Sequence, residues 1–101
     1  MRVVSVPAKG EVKVIDTDEK YLLKAGHKLL GEDLYLQYFL IEGGTCVVYD
    51  DDAGLRGEPN GPLLFHGDVI VAKVIGNDEN DLIIGDMPIN EIDGLLRLNS
   101  K

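Results

Sequence analysis

A single cysteine, Cys46, rules out an intramolecular disulfide framework and fits a reducing compartment. Cys46 lies in an apolar, β-branched run and reads as a small buried hydrophobe. Only two histidines accompany it, His27 and His66, and no pair has the C-x2-C or H-x3-H spacing of a zinc site. Calcium-loop spacing, a Walker motif and a dinucleotide fingerprint are all missing. No acid, base and nucleophile come together at a recognisable spacing, so the chain does not read as an enzyme. No cofactor or metal is expected. Long apolar runs are lacking too. Nothing approaches the roughly 18 residues of a membrane span, and no basic-plus-apolar start reads as a signal peptide. A cytoplasmic protein without membrane contact is expected.

Basic residues are also scarce: 10 Lys and Arg stand against 18 Asp and Glu, for a net charge of −8. The imbalance concentrates towards the C-terminus, with −2 over residues 1–50 and −6 over residues 51–101. Such a field repels nucleic-acid phosphate and argues against direct nucleic-acid binding. It suits a basic protein partner, or serves only to keep a small protein soluble.

What is present is enough for one core. The chain is 45% hydrophobic over 101 residues, which predicts a single globular domain, residues 1–101. Arg2–Val6 and Glu11–Ile15 read as an opening hairpin, with Val12 and Val14 on one face and charges on the other. Asp16 and Glu19 have the spacing of a helix cap and its partner. A stripe of Tyr21, Leu22, Ala25, Leu29 and Leu30 follows, and Gly31 is a natural stop. Leu34–Glu42 and Thr45–Tyr49 predict strands joined at Gly43-Gly44, two residues that tolerate the positive φ of a tight turn. Asp68–Ile75 is apolar on both faces and predicts a central strand. Leu82–Ile84 is a short strand, and Asp86 with Pro88 starts a helix that would bury Ile89, Ile92, Leu95, Leu96 and Leu98. The fold class is α+β: a small, mostly antiparallel sheet of five or six short strands, one helix packed on it, and a C-terminal helix.

The candidate site lies in the Gly-, Pro- and Asn-rich stretch from Asp50 to Pro62, which leads from an acidic turn towards the Asp68–Ile75 strand. Gly54, Gly57 and Gly61 let the backbone approach a ligand closely, and Arg56 can grip phosphate or carboxylate with two parallel hydrogen bonds. Asn60 and His66 complete the set, so the ligand-binding candidates are Gly54, Arg56, Gly57, Asn60 and His66. The bland alternative is that the glycines only turn the chain and Arg56 pairs with a nearby Asp. Asp50, Asp51 and Asp52 do not read as a cation site, because consecutive carboxylates in a strand alternate faces. Tyr35, Gln37, Phe39 and Ile41 share one face of their strand, and Leu34, Leu36, Tyr38 and Leu40 the other. Both faces being apolar, core burial is the favoured reading, with an oligomer or ligand surface as the alternative.

The stretch Val47-Val48-Tyr49-Asp50-Asp51-Asp52-Ala53-Gly54-Leu55-Arg56-Gly57-Glu58-Pro59-Asn60 resembles the "acidic turn, Gly, then Gly-x-Pro-Asn" pattern of a domain of unknown function catalogued as number 3846. Asp68–Ala72 with Gly76 resembles that family's next strand. The chain departs from the pattern at Leu55, where the family usually carries a base; here the base, Arg56, comes one residue later. The family is common in phages and mobile elements. The resemblance therefore implies a genetic setting more than a chemistry: a small accessory or counter-defence protein in the host-cell cytoplasm, acting by binding a host protein or by sequestering a nucleotide-derived signal. With no catalytic constellation in the residues, the expected function is non-enzymatic binding of a small anionic, nucleotide-derived signal. The alternative, from the acidic charge, is inhibition of a basic host protein through a nucleic-acid-like surface. A homo-oligomer is compatible with a small sheet whose edge strand pairs across a symmetry axis.

Overall fold

The computed structural model describes residues 1–7, 11–41, 43–50, 67–78 and 81–97. Along the chain run β1 (Arg2–Val6), β2 (Lys13–Asp16), α1 (Leu22–Leu30), β3 (Leu36–Leu40), β4 (Thr45–Asp50), β5 (Val69–Asn77), β6 (Leu82–Gly85) and α2 (Ile89–Arg97). The strands form one six-stranded sheet in the order β2-β1-β5-β4-β3, with β6 also on β5. The strand pairs are antiparallel. The expected α+β architecture is the observed one.

β5 is the spine because it is long and apolar on both faces. One edge pairs with β4, from Val48↔Ile70 to Thr45↔Lys73. The other edge is shared: β1 takes the first half and β6 the second. Alternation along β5 then divides the core in two. Ile70 and Ala72 join Val3, Leu22, Ala25, Cys46, Val48 and Ile84 under α1. Val69 and Val71 join Val4, Val6, Val12, Val47, Met87 and Ile92 under α2. The two helices therefore cover opposite faces of the sheet.

Gly26 shows why α1 tolerates a glycine. A Cβ there would stand 2.8 Å from Leu36 Cδ1 and 2.9 Å from Val48 Cγ1, so its absence lets the helix press onto β3 and β4. The β3–β4 turn is made as expected, with φ of 87° at Gly43 and 84° at Gly44. The Ile41 N–H donates to the Thr45 carbonyl at 2.7 Å to close it.

Four expectations need correction. Asp86 does not cap α2; its carboxylate accepts from the Arg2 N–H at 2.8 Å. Asp16 does not cap α1; it ends β2 and pairs with the N-terminal ammonium at 2.9 Å. Ile89 and Leu96 are exposed, and the reason is the roll of α2. At 100° per residue, Glu91 and Leu95 lie on one flank of Ile92, with Ile89 and Leu96 on the other. The ties from Glu91 to Thr45 and Lys73 turn the first flank inward. Leu98 lies outside the described residues. Finally, core burial fails for β3, where Leu36 packs under α1 while Tyr38, Phe39, Leu40 and the adjoining Tyr35 and Ile41 are exposed.

Candidate functional site

β4 and β5 are adjacent and antiparallel, yet 18 residues, 51–68, separate the end of one from the start of the other. An antiparallel hairpin needs only about two to five. The register that pairs Val48 with Ile70 brings Asp50 and Asp68 to the same end of the strand pair. Two carboxylates thus stand at the roots of the segment. Its sequence adds Asp51, Asp52 and Glu58 against a single base, Arg56. The candidates Gly54, Arg56, Gly57, Asn60 and His66 lie outside the described residues. What the fold supplies is their anchorage on the two central strands.

A second cluster, missed in the sequence, sits at the start of α1. Asp81, from the β5–β6 turn, accepts hydrogen bonds from the Leu23 N–H at 3.0 and 3.1 Å and the Lys24 N–H at 3.3 Å. The first amides of a helix have no partner within it, and a carboxylate is also attracted by the positive end of the helix dipole. Asp78 accepts from the Tyr21 hydroxyl at 3.1 Å, and Lys20 and Lys24 hold their ammonium groups 5.2 and 5.0 Å from the Tyr21 ring centre. The shallow pocket between Tyr21, Lys24, Asp78 and Asp81 has a volume of about 130 Å³. Pockets for nucleotide-sized ligands are usually about 300–1,000 Å³. The cluster is a clamp on α1. No spacing rule finds Asp81 as its cap, because the two partners lie 58 residues apart.

A third cluster holds α2. The Thr45 hydroxyl donates to Glu91 Oε1 at 2.6 Å, and Lys73 Nζ lies 3.3 Å from Glu91 Oε2. The Thr45 hydrogen bond, followed by the Lys73 ammonium, holds the Glu91 carboxyl below its ordinary pKa. Cys46 is fully buried, and burial pushes its thiol up to about 11. A thiol held protonated at neutral pH is a poor nucleophile. His27 lies at the other end of α1, its Nδ1 3.1 Å from the Gly31 carbonyl.

The fourth feature is the β3 edge. Tyr35, Tyr38, Phe39, Leu40 and Ile41 are 74%, 43%, 56%, 55% and 44% exposed. Since Ile41 is hydrogen-bonded to Thr45, the alternation of an antiparallel ladder turns Gln37, Phe39 and Ile41 towards β4. The N–H and C=O groups of Leu36, Tyr38 and Leu40 face outward. Among the described residues no strand lies beyond them.

Among the described residues no three His, Cys, Asp or Glu side chains are grouped to hold a metal ion, and no helix is long and apolar enough to cross a membrane. No protein-family model, curated protein or solved structure matches the chain.

Proposed function

We propose that the protein is a non-enzymatic binding protein that offers an acidic segment, residues 50–68, to a basic protein partner. The observation that carries this reading is the length and charge of the connection between the two central strands. Chain kept far beyond hairpin length on a rigid scaffold generally serves contact. This stretch holds five acidic side chains and one basic, rooted on Asp50 and Asp68. The same carboxylates rank a basic partner above the small anionic, nucleotide-like ligand assigned to Gly54, Arg56, Gly57, Asn60 and His66. An anion there must be drawn in by Arg56 against the field of its neighbours. In the mobile-element setting that the resemblance implies, the partner is a host protein and the role is accessory or counter-defence.

The test is fluorescence anisotropy with a labelled arginine-rich peptide. Affinity should fall by about tenfold or more between 50 and 200 mM salt, as expected for unburied charge pairs. Replacing Asp50, Asp51, Asp52 and Asp68 with Asn should cost about tenfold or more at the lower salt. Neutralising Glu11, Asp18, Asp33 and Asp93, four exposed acids elsewhere, should change it little. Equal losses in both sets would reduce the effect to net charge and overturn the site.

A further inference from the structure

We infer that β3 is a dimerisation strand, pairing antiparallel with β3 of a second copy about a two-fold axis at Tyr38. Three observations lead there. The first is backbone geometry. Leu36, Tyr38 and Leu40 present outward N–H and C=O groups, and such an open edge is a template for another strand. Tyr38 is the midpoint of β3. A two-fold axis there sets Tyr38 against Tyr38 and Leu36 against Leu40 of the second copy. All three outward-facing residues of each strand are then used, in the alternation that an antiparallel ladder requires.

The second observation is charge. Two chains of net charge −8 repel, so their contact must be neutral. Leu34 to Ile41 is eight consecutive uncharged residues. In the Tyr38-centred register, Glu32 and Asp33 fall opposite Gly44 and Gly43 of the second copy, so these carboxylates do not oppose one another. Tyr35 meets Ile41, and Gln37 meets Phe39. An edge that is its own complement fits a second copy of the same chain better than an unrelated peptide, which has no reason to match it.

The third is area. Three aromatic rings and two aliphatic side chains, each 43–74% exposed, offer on the order of 500 Å² of apolar surface per copy. Two copies together reach about the 1,000 Å² that a specific interface needs. An exposed apolar strand of that kind is also an aggregation site unless something covers it. A closed two-fold pair covers it and leaves no open edge at β3 for a third chain.

Sedimentation equilibrium over a concentration series tests the pairing, with amide hydrogen exchange as the second measurement. The wild type should sediment at twice the 11.1 kDa of one chain. Tyr38→Lys sets two ammonium groups face to face on the axis and should weaken the dimer by about 100-fold or more. Because Tyr38 is an edge residue 43% exposed, the variant should keep its far-ultraviolet circular dichroism spectrum. In the wild type, exchange of the Tyr38 and Leu40 amides should slow as concentration rises. The Phe39 and Ile41 amides, already turned to β4, should be protected at every concentration. A wild type that stays monomeric would overturn the proposal, and so would a dimer whose affinity Tyr38→Lys leaves unchanged. Tyr38 and Leu40 amides that exchange equally fast in monomer and dimer would also overturn it, by placing the contact elsewhere.

Discussion

Replacing Asp81 with Ala should unfold the protein at a markedly lower temperature, although Asp81 is not itself one of the core residues. Its carboxylate satisfies two amides at the start of α1, those of Leu23 and Lys24, and accepts from its own neighbour Leu82 at 2.8 Å. Loss of a helix cap costs about 0.5–2 kcal/mol. Removing a negative charge from the positive end of the helix costs about 0.3–1 kcal/mol more. A total of about 2 kcal/mol follows, since the Leu23 amide is partly buried and water replaces the carboxylate only in part. For a chain near 100 residues each kcal/mol moves Tm by about 4–8 °C, so a fall of roughly 10 °C is expected. Asp81→Asn keeps an acceptor but loses the charge, and should fall by about half as much. Asp93→Ala, an exposed acid with no such duty, should stay within about 0.5 kcal/mol. Thermal and urea unfolding followed by circular dichroism read all three. A loss for Asp81→Ala no greater than that of the Asp93 control would refute the cap.

Other consequences are equally concrete. Gly26→Ala gains about 1 kcal/mol of helix propensity but forces a methyl into contact with Val48, which is fully buried and stiff at χ1. Overpacking costs about 1–3 kcal/mol, so urea unfolding should show a net loss of about 1 kcal/mol. The lowered pKa of Glu91 gives stability that is whole above the ordinary glutamate value of 4.5 and is lost as pH falls through the lower folded value. Glu91→Gln should therefore flatten the acid limb of a stability–pH curve, and a limb of unchanged steepness would place the sensitivity elsewhere. At pH 8, Cys46 should react with a disulfide reagent only as fast as the sheet opens, because the thiol is buried and held near 11. Full labelling within the time of a free thiol would contradict that burial.

The features legible in the sequence were those with local causes. Two-sided apolarity marked β5 as central. The Gly43-Gly44 pair marked the β3–β4 turn, and the stripe from Tyr21 to Leu30 marked α1. Features set by long-range geometry were not legible. The cap of α1 comes from Asp81 rather than from the nearby Asp16, whose spacing looked right. β3 has the apolar pattern of a core strand, but its place at the end of the sheet order leaves most of it exposed. The rotation of α2 depends on Thr45 and Lys73, which are remote in sequence from Glu91. For the candidate site, the sequence supplies the residue types and the fold supplies the anchoring strands. The described residues do not extend to Gly54, Arg56, Gly57, Asn60 and His66.

The most direct test of an acidic binding segment is native mass spectrometry of the protein with an arginine-rich peptide and a panel of cyclic nucleotides and ADP-ribose derivatives together. Retention of the peptide, lost when Asp50, Asp51, Asp52 and Asp68 are changed to Asn, with no nucleotide bound, is the result the charge of the 50–68 segment predicts. A stoichiometric nucleotide adduct that excludes the peptide and disappears in Arg56→Ala would contradict it and return the site to the small anionic ligand.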